Sequence, residues 1–335
     1  MARFEPVNKF LNTQITEKGA GHSAGRRDDR ADVAILMCTY NGATYLREQL
    51  ESFESQSLQN WTLFVSDDSS TDGTHSILAD YKRRWGPQKL VVFDGPRQGF
   101  AKNFLSLLNR PSVQGRYYAF SDQDDLWFSD KLERSVKCLD AIEEHRPALY
   151  CSRTRLTDAS GKTIGLSPLF TRPPSFRNAL VQSLAGANTM MINSTAREVL
   201  LQLPAETRVI AHDWLAYLIV TACGGTAVYD AEPTLYYRQH AANLIGANAT
   251  PLARAARFRK MLSGRFSEWN DANLETLSAI APLITMQNKT TLEHFAMGRR
   301  LRVPARIKEL LRSGVYRQTF LGNVTLWIAA CLGKI

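Results

Sequence analysis

Three carboxylates fall within four positions in Ser121-Asp122-Gln123-Asp124-Asp125-Leu126-Trp127, directly after the apolar run Tyr117-Tyr118-Ala119-Phe120. Carboxylates gathered at the end of a buried strand repel one another unless a cation or a donor offsets them. Two chemistries suit the spacing. One is a solvated acidic turn. The other is a divalent-cation site for a phosphorylated ligand, because Mg²⁺ and its relatives are held by one or two carboxylates plus substrate phosphates. Two carboxylates without Cys suit Mg²⁺ or Mn²⁺ better than zinc.

The elements around this cluster must place it at an edge. Val33 to Thr39 is a near-continuous apolar run, as expected of a strand covered on both faces. Apolar residues at helical spacing follow from Ala43 to Ser57. Trp61 to Val65, Lys89 to Phe93 and Tyr117 to Phe120 read as further strands, with helices over Thr71 to Trp85 and Phe100 to Leu108. This alternation predicts an α/β fold with a mainly parallel sheet, whose ligands bind beyond the carboxyl ends of the strands. Thr39-Tyr40-Asn41-Gly42, Ser66 to Ser70 and the Asp122 cluster all fall at such ends.

Downstream, Asp130 is placed to cap a helix running to His145, and Ala148 to Leu156 and Ala187 to Ile192 read as strands. Gly165 to Ser175, with three prolines, reads as a loop able to act as a lid. Ala211 to Cys223 reads as a mostly buried helix, and Ala227 to Tyr229 and Thr234 to Arg238 as strands.

Of the 41 Lys plus Arg and 32 Asp plus Glu in 335 residues, 14 and 5 lie in residues 251–335, so the whole excess of +9 belongs there. Five scattered cysteines without CxxC spacing argue against a disulfide framework or structural zinc and fit a cytoplasmic setting. Residues 1–30 have no apolar core of signal-peptide length and read as a mobile tail. From Pro251 the chain turns helical and basic. It ends in the uncharged stretch Thr319 to Leu332, too short to span a bilayer and suited either to a terminal core helix or to an interfacial one.

The segments VAILMCTYNG (33–42), VSDDSSTDGT (65–74), GFAKNF (99–104) and SDQDDLW (121–127) occur in the order and spacing of family 2 glycosyltransferases, which the chain resembles over residues 32–246. His212-Asp213-Trp214 and Tyr237-Arg238-Gln239-His240, followed by Asn243 and Gly246, are similar to the subgroup assigned as bacterial rhamnosyltransferases. The resemblance implies a GT-A fold, a nucleotide-sugar donor and inverting transfer. It divides the chain into a tail (1–30), a GT-A domain (31–246) and a basic helical region (247–335).

By resemblance Thr39, Tyr40 and Asn41 contact the nucleotide, and Asp67 accepts a hydrogen bond from the uracil or thymine ring N–H. Lys102 lies near base, ribose or phosphate, or is a solvated helix lysine. Asp124 ligates Mn²⁺ or Mg²⁺, while Asp122 contacts the donor ribose or metal-bound water. His240 either completes the metal site or is a surface histidine. Asp213 is the catalytic base for the acceptor hydroxyl, its alternative being a charge at a helix N-terminus. His212 and Trp214 touch the acceptor or pack. Arg238 neutralises diphosphate or forms an ion pair, and Asp125 supports the ligands or shapes the turn.

The resulting expectation is transfer of a sugar, foremost L-rhamnose from dTDP-rhamnose, to a glycan or lipid-linked acceptor in surface polysaccharide synthesis. Another hexose donor (UDP-galactose, UDP-glucose or a UDP-N-acetylhexosamine) is the alternative. The basic C-terminal region suits peripheral contact with anionic lipid at the inner face of the cytoplasmic membrane. A nucleotide-sensing, nucleic-acid-binding protein is the remote reading, disfavoured because no aromatic platform or recognisable motif accompanies the arginines.

Overall fold

The computed structural model describes residues 32–240 and 265–335. Its first half is the expected alternation: β1 (Val33–Thr39), α1 (Leu46–Glu54), β2 (Trp61–Asp67), α2 (Thr74–Trp85), β3 (Leu90–Asp94), α3 (Phe100–Leu108) and β4 (Tyr117–Ser121). Successive side chains of a strand point to opposite faces. In β1, Val33, Ile35 and Met37 therefore join the core beneath α1 and α2, while Ala34 and Leu36 join the core on the other face, with α3. A strand buried on both sides has no polar alternation, hence its unbroken apolar run.

Then follow β5 (Leu126–Trp127), α4 (Lys131–Asp140), β6 (Ala148–Ser152), β7 (Arg155–Thr157), β8 (Thr163–Leu166), α5 (Phe176–Ala179), β9 (Met191–Asn193), α6 (Ser194–Leu200), α7 (His212–Ala222), β10 (Thr226–Asp230) and β11 (Leu235–Arg238). The large sheet has the order β10-β6-β9-β4-β1-β2-β3 and is parallel except around β9, which is antiparallel to β4 and β6. A small sheet, β5-β11-β7-β8, lies apart from it. The order steps one way from β1 through β2 to β3 and the other way to β4. Ligand crevices form at such a reversal, outside the carboxyl ends of the strands. Here it lies between Thr39 and Ser121.

Three local expectations are corrected. The single strand expected over 148–156 is two, because Arg153 and Thr154 carry the chain from the large sheet to the small one. Residues 187–189 form a 3₁₀ turn before β9 rather than continuous strand. Part of the anticipated loop is β8, and the rest is tied down: the Tyr229 hydroxyl donates to the Pro168 carbonyl, and Arg172 lies 3.9 Å from the Tyr316 ring centroid.

The C-terminal residues form α8 (Arg265–Ala279), α9 (Met286–Arg300), α10 (Ala305–Ser313) and α11 (Phe320–Cys331). Phe266, Leu277, Phe295, Leu310 and Leu326 share one core with α7. The expected tail at 1–30, the boundary at 246, and Asn243 and Gly246 lie outside the described residues.

Candidate active site

The β1–α1 turn is built against β2. Thr39 and Asp67 continue the buried faces of their strands and pair across the register, the Thr39 hydroxyl donating to Asp67 Oδ2 at 2.7 Å. The same carboxylate accepts from the Ser70 backbone N–H (2.8 Å) and hydroxyl (2.6 Å) and lies 3.1 Å from His75 Nε2. Asp67 is therefore a buried, saturated acceptor that fixes the turn. Its acceptor positions are already taken by these groups, which leaves the neighbouring aspartate the more accessible of the two. Its neighbour Asp68 projects the other way and is half-exposed. One of its oxygens accepts from the Arg97 backbone N–H, while Oδ2 accepts from none of the described residues. Gly95 permits this approach, since a Cβ there would sit 2.7 Å from Asp68 Oδ1.

Tyr40 is 61% exposed, with its ring free to meet a ligand, and Asn41 takes a positive φ of 49°. Asparagine tolerates that conformation better than most residues. The Asn41 side-chain oxygen accepts from the Thr71 N–H at 2.8 Å, which joins the two strand-end loops.

Gln123, between the paired aspartates, clamps this turn to the acidic loop. Its Oε1 accepts from the Tyr40 N–H at 3.0 Å and its Nε2 donates to the Tyr40 carbonyl at 3.1 Å. Gly42 leaves room for the clamp, because a Cβ there would displace the Gln123 amide.

In the acidic loop, Asp122 is pushed up to about 7 by burial, then by Asp124 and by Asp213. Those perturbations bring the acidic loop and α7 into one electrostatic environment. The Cys38 thiol is also pushed up, by burial and by Asp122 and Asp68, so it lies among the same groups. Asp124 Oδ2 is 2.7 Å from His240 Nε2, and the His240 ring packs 5.0 Å from Tyr45.

Asp125 turns inward. It is fully buried and accepts from Asn188 Nδ2 (2.6 Å) and the Arg238 N–H (3.3 Å). Burial and the neighbouring Asp122 and Asp124 raise its pKa. The ammonium of buried Lys131 donates to the Asn188 carbonyl at 3.0 Å, and burial lowers its pKa to about 7. Asp125 thus holds the base of the loop.

Among the described residues no group of three or more acidic, His or Cys side chains is arranged as a ready-made metal cage. Mg²⁺ and Mn²⁺ do not need one, since they retain waters and take substrate phosphates. Asp124 and His240, with Asp122 beside them, fit such an ion. The raised pKa of Asp122 comes first from burial and then from repulsion by Asp124 and Asp213, and a cation would relieve the second part.

Asp213 stands in the first turn of α7, where Oδ1 accepts from the Trp214 N–H at 2.6 Å. Burial raises it to about 6, against hydrogen bonds from its own and the Trp214 backbone and from Ser183. Of the two roles open to its flanking residues, their surroundings favour packing. His212 is enclosed by Phe104, stacked at 4.0 Å, and by the edges of Phe100 and Phe120. Neither of its ring nitrogens has a partner among the described residues, and burial holds its pKa down at about 3. It is neutral packing and does not reach an acceptor. Trp214 is buried too, its indole N–H donating to the Ala179 carbonyl at 2.6 Å, so it offers no sugar platform.

Two cations are likewise structural. Lys102 donates to the carbonyls of Ala205 (3.0 Å) and Thr207 (2.9 Å), steadying the approach to α7. Arg238 is buried, pairs with Glu48, and donates to the carbonyls of Asp124 and Ala159 (both 3.2 Å), stapling the acidic loop to β11.

Residues 34–198 match the family described as Glycosyl transferase family 2. The chain carries a family 2 glycosyl transferase domain. It is 28% identical over 232 residues to the dTDP-rhamnosyl transferase RfbG of Shigella flexneri, covering 66% of this chain and 77% of that protein. The putative teichuronic acid biosynthesis glycosyltransferase TuaG of Bacillus subtilis is 29% identical over 186 residues, covering 56% and 71%. The crystal structure of S. aureus TarS 1–349 has a TM-score of 0.50 at 15% identity, covering 90% of this chain and 88% of that one. The fold of the glycosyl transferase domain is thus GT-A.

Reading the glycosyl transferase motifs by type alone passed over Asp68, Gln123, Asn188 and Lys131. Asp68 had no signal, because both faces of β2 are buried, with Leu63 and Val65 on one and Phe64 and Ser66 on the other, so alternation does not say which aspartate turns inward. Gln123, Asn188 and Lys131 had none, because their partners lie 57 or more residues away.

Proposed function

We propose that the protein transfers L-rhamnose from dTDP-rhamnose, with inversion, to a hydroxyl of a glycan or lipid-linked acceptor in surface polysaccharide biosynthesis. The carrying observation is that Asp122 and Asp124 follow the end of β4 and that the first turn of α7, which holds Asp213, packs beside that strand through the Phe120–His212 ring contact. Similarity to RfbG supports rhamnose as the sugar.

In this reading Tyr40 and the Asn41 turn face the nucleotide, and Asp68 accepts the thymine ring N–H. Asp122 meets the donor ribose. Asp124 and His240 would hold Mn²⁺ or Mg²⁺, which supplies positive charge to the departing diphosphate. Asp213 takes the proton of the acceptor hydroxyl while that oxygen bonds to the anomeric carbon. The bond from that carbon to the diphosphate oxygen breaks, and its electron pair leaves with the nucleoside diphosphate. A carboxylate with a pKa near 6 is a better base than an ordinary aspartate and is still mostly ionised at neutral pH.

A panel of dTDP-rhamnose, UDP-galactose, UDP-glucose and UDP-N-acetylglucosamine, each turned over with and without Mn²⁺, tests the proposal. Preferential turnover of dTDP-rhamnose with Mn²⁺ is expected. Preference for a UDP-hexose would overturn the sugar and keep the chemistry; no turnover of any donor would overturn both.

A further inference from the structure

α11 wears its large apolar side chains on the outside. Its buried positions are Leu326, Ala329 and Ala330, whereas Phe320 (81% exposed), Leu321, Val324, Ile328 and the following Leu332 face solvent. At 100° per residue these outward positions span about 120° of the helix. No charged residue interrupts them.

Cations lie near the C-terminal end of this helix. Arg306 Nη1 donates to the Ala330 carbonyl at 3.1 Å and Arg299 Nε to the Ile335 carbonyl at 3.0 Å, which brings the end of α9 and the start of α10 alongside. Arg300, Arg302 and Lys334 are exposed there without an acidic partner among the described residues. Nearby acids are already engaged: Asp271 with Arg299, and Glu309 with His294 and Arg312.

We propose that this face docks the protein on an anionic phospholipid surface, with α11 lying in the bilayer plane and its cations on the headgroups. Charge decides the occupant. A dimer through this face would bring together two C-terminal regions that each carry 14 Lys plus Arg against 5 Asp plus Glu. Residues 251–264 of this chain carry Arg254, Arg257, Arg259 and Lys260 and no acid, so they too would meet like charge. A bilayer supplies both apolar depth and negative charge. None of the helices among the described residues is long and apolar enough to cross it.

The test is flotation of the full chain with vesicles of phosphatidylcholine alone or mixed with phosphatidylglycerol, at low and high salt, without any sugar donor. Binding to the mixed vesicles, weakened by salt, is expected. Phe320→Ser with Ile328→Ser should lower partitioning about thirtyfold, from the apolar area withdrawn. Arg300→Gln with Arg302→Gln should lower it about tenfold at low salt and flatten the salt dependence. Both pairs are exposed, and thermal melts check that they remain folded. The proposal is overturned by absent or charge-independent binding, or by serine variants that bind as wild type. A concentration-dependent dimer lost on Phe320→Ser would identify a second copy as the occupant and overturn it as well. Because no donor is used, any of these failures leaves the sugar-transfer reading standing.

Discussion

Asp213→Asn should remove activity while making the protein more stable. In the folded state burial raises this carboxyl from 3.8 to about 6. At 1.36 kcal/mol per unit, keeping it ionised inside the fold costs at most about 3 kcal/mol. Solvent at the cleft-side edge of the carboxyl brings the gain on neutralising it to about 1–2 kcal/mol. The folded pKa lies above the unfolded one, so the cost is absent below pH 3.8, grows as pH rises from there toward 6, and is constant above. Asparagine should therefore raise the melting temperature by a few degrees at pH 7.5 and by less at pH 4.5. Transfer, followed by release of nucleoside diphosphate, should fall about 10²- to 10⁴-fold. The wild-type rate should itself show an acid limb near pH 6, with about one tenth of the maximum left at pH 5. Activity of the variant within tenfold of wild type would remove Asp213 from the base role. A melting temperature unchanged at pH 7.5 would refute the buried-charge argument.

Three other outcomes follow from the site. Asp124→Ala should abolish the stabilisation given by Mn²⁺ plus TDP, which for wild type at a hundred times Kd is about 2.7 kcal/mol by thermal shift; an unchanged shift would exclude Asp124 as a ligand. Gln123→Ala should raise the donor KM about 5- to 150-fold, for two hydrogen bonds of about 0.5–1.5 kcal/mol each, and Gln123→Glu should not rescue it, since a carboxylate cannot donate to the Tyr40 carbonyl. Unaltered kinetics would show the clamp to be idle. Asp67→Asn should cost about 1–3 kcal/mol of stability on denaturant titration, whereas Asp68→Asn should weaken TDP binding with little change in stability; the reverse pattern would restore Asp67 as the base reader.

Much of the fold was readable because its signals are local. α3 spans Phe100–Leu108 as its periodicity indicates, and β1 announces itself by an apolar run that only a doubly covered strand needs. The acidic loop was readable for the same reason: three carboxylates after a buried strand demand a compensating partner. The roles of His212, Trp214, Lys102 and Arg238 were not. Each side chain is equally suited to a ligand or to the protein's own groups. The choice was made by Phe104, by the carbonyls of Ala179, Ala205 and Thr207, and by Glu48, all supplied from other elements.

The sequence by itself determined the order of strands and helices, the family and the candidate carboxylates, since these follow from residue type and spacing along the chain. Only the tertiary structure decided which of Asp67 and Asp68 faces inward, that Gln123 ties two loops 83 residues apart, and that Asp213 enters the electrostatic field of Asp122. Burial and pairing depend on what arrives from distant segments, and the strength of a charge–charge interaction on the medium those segments exclude. Neither quantity exists until the chain has folded.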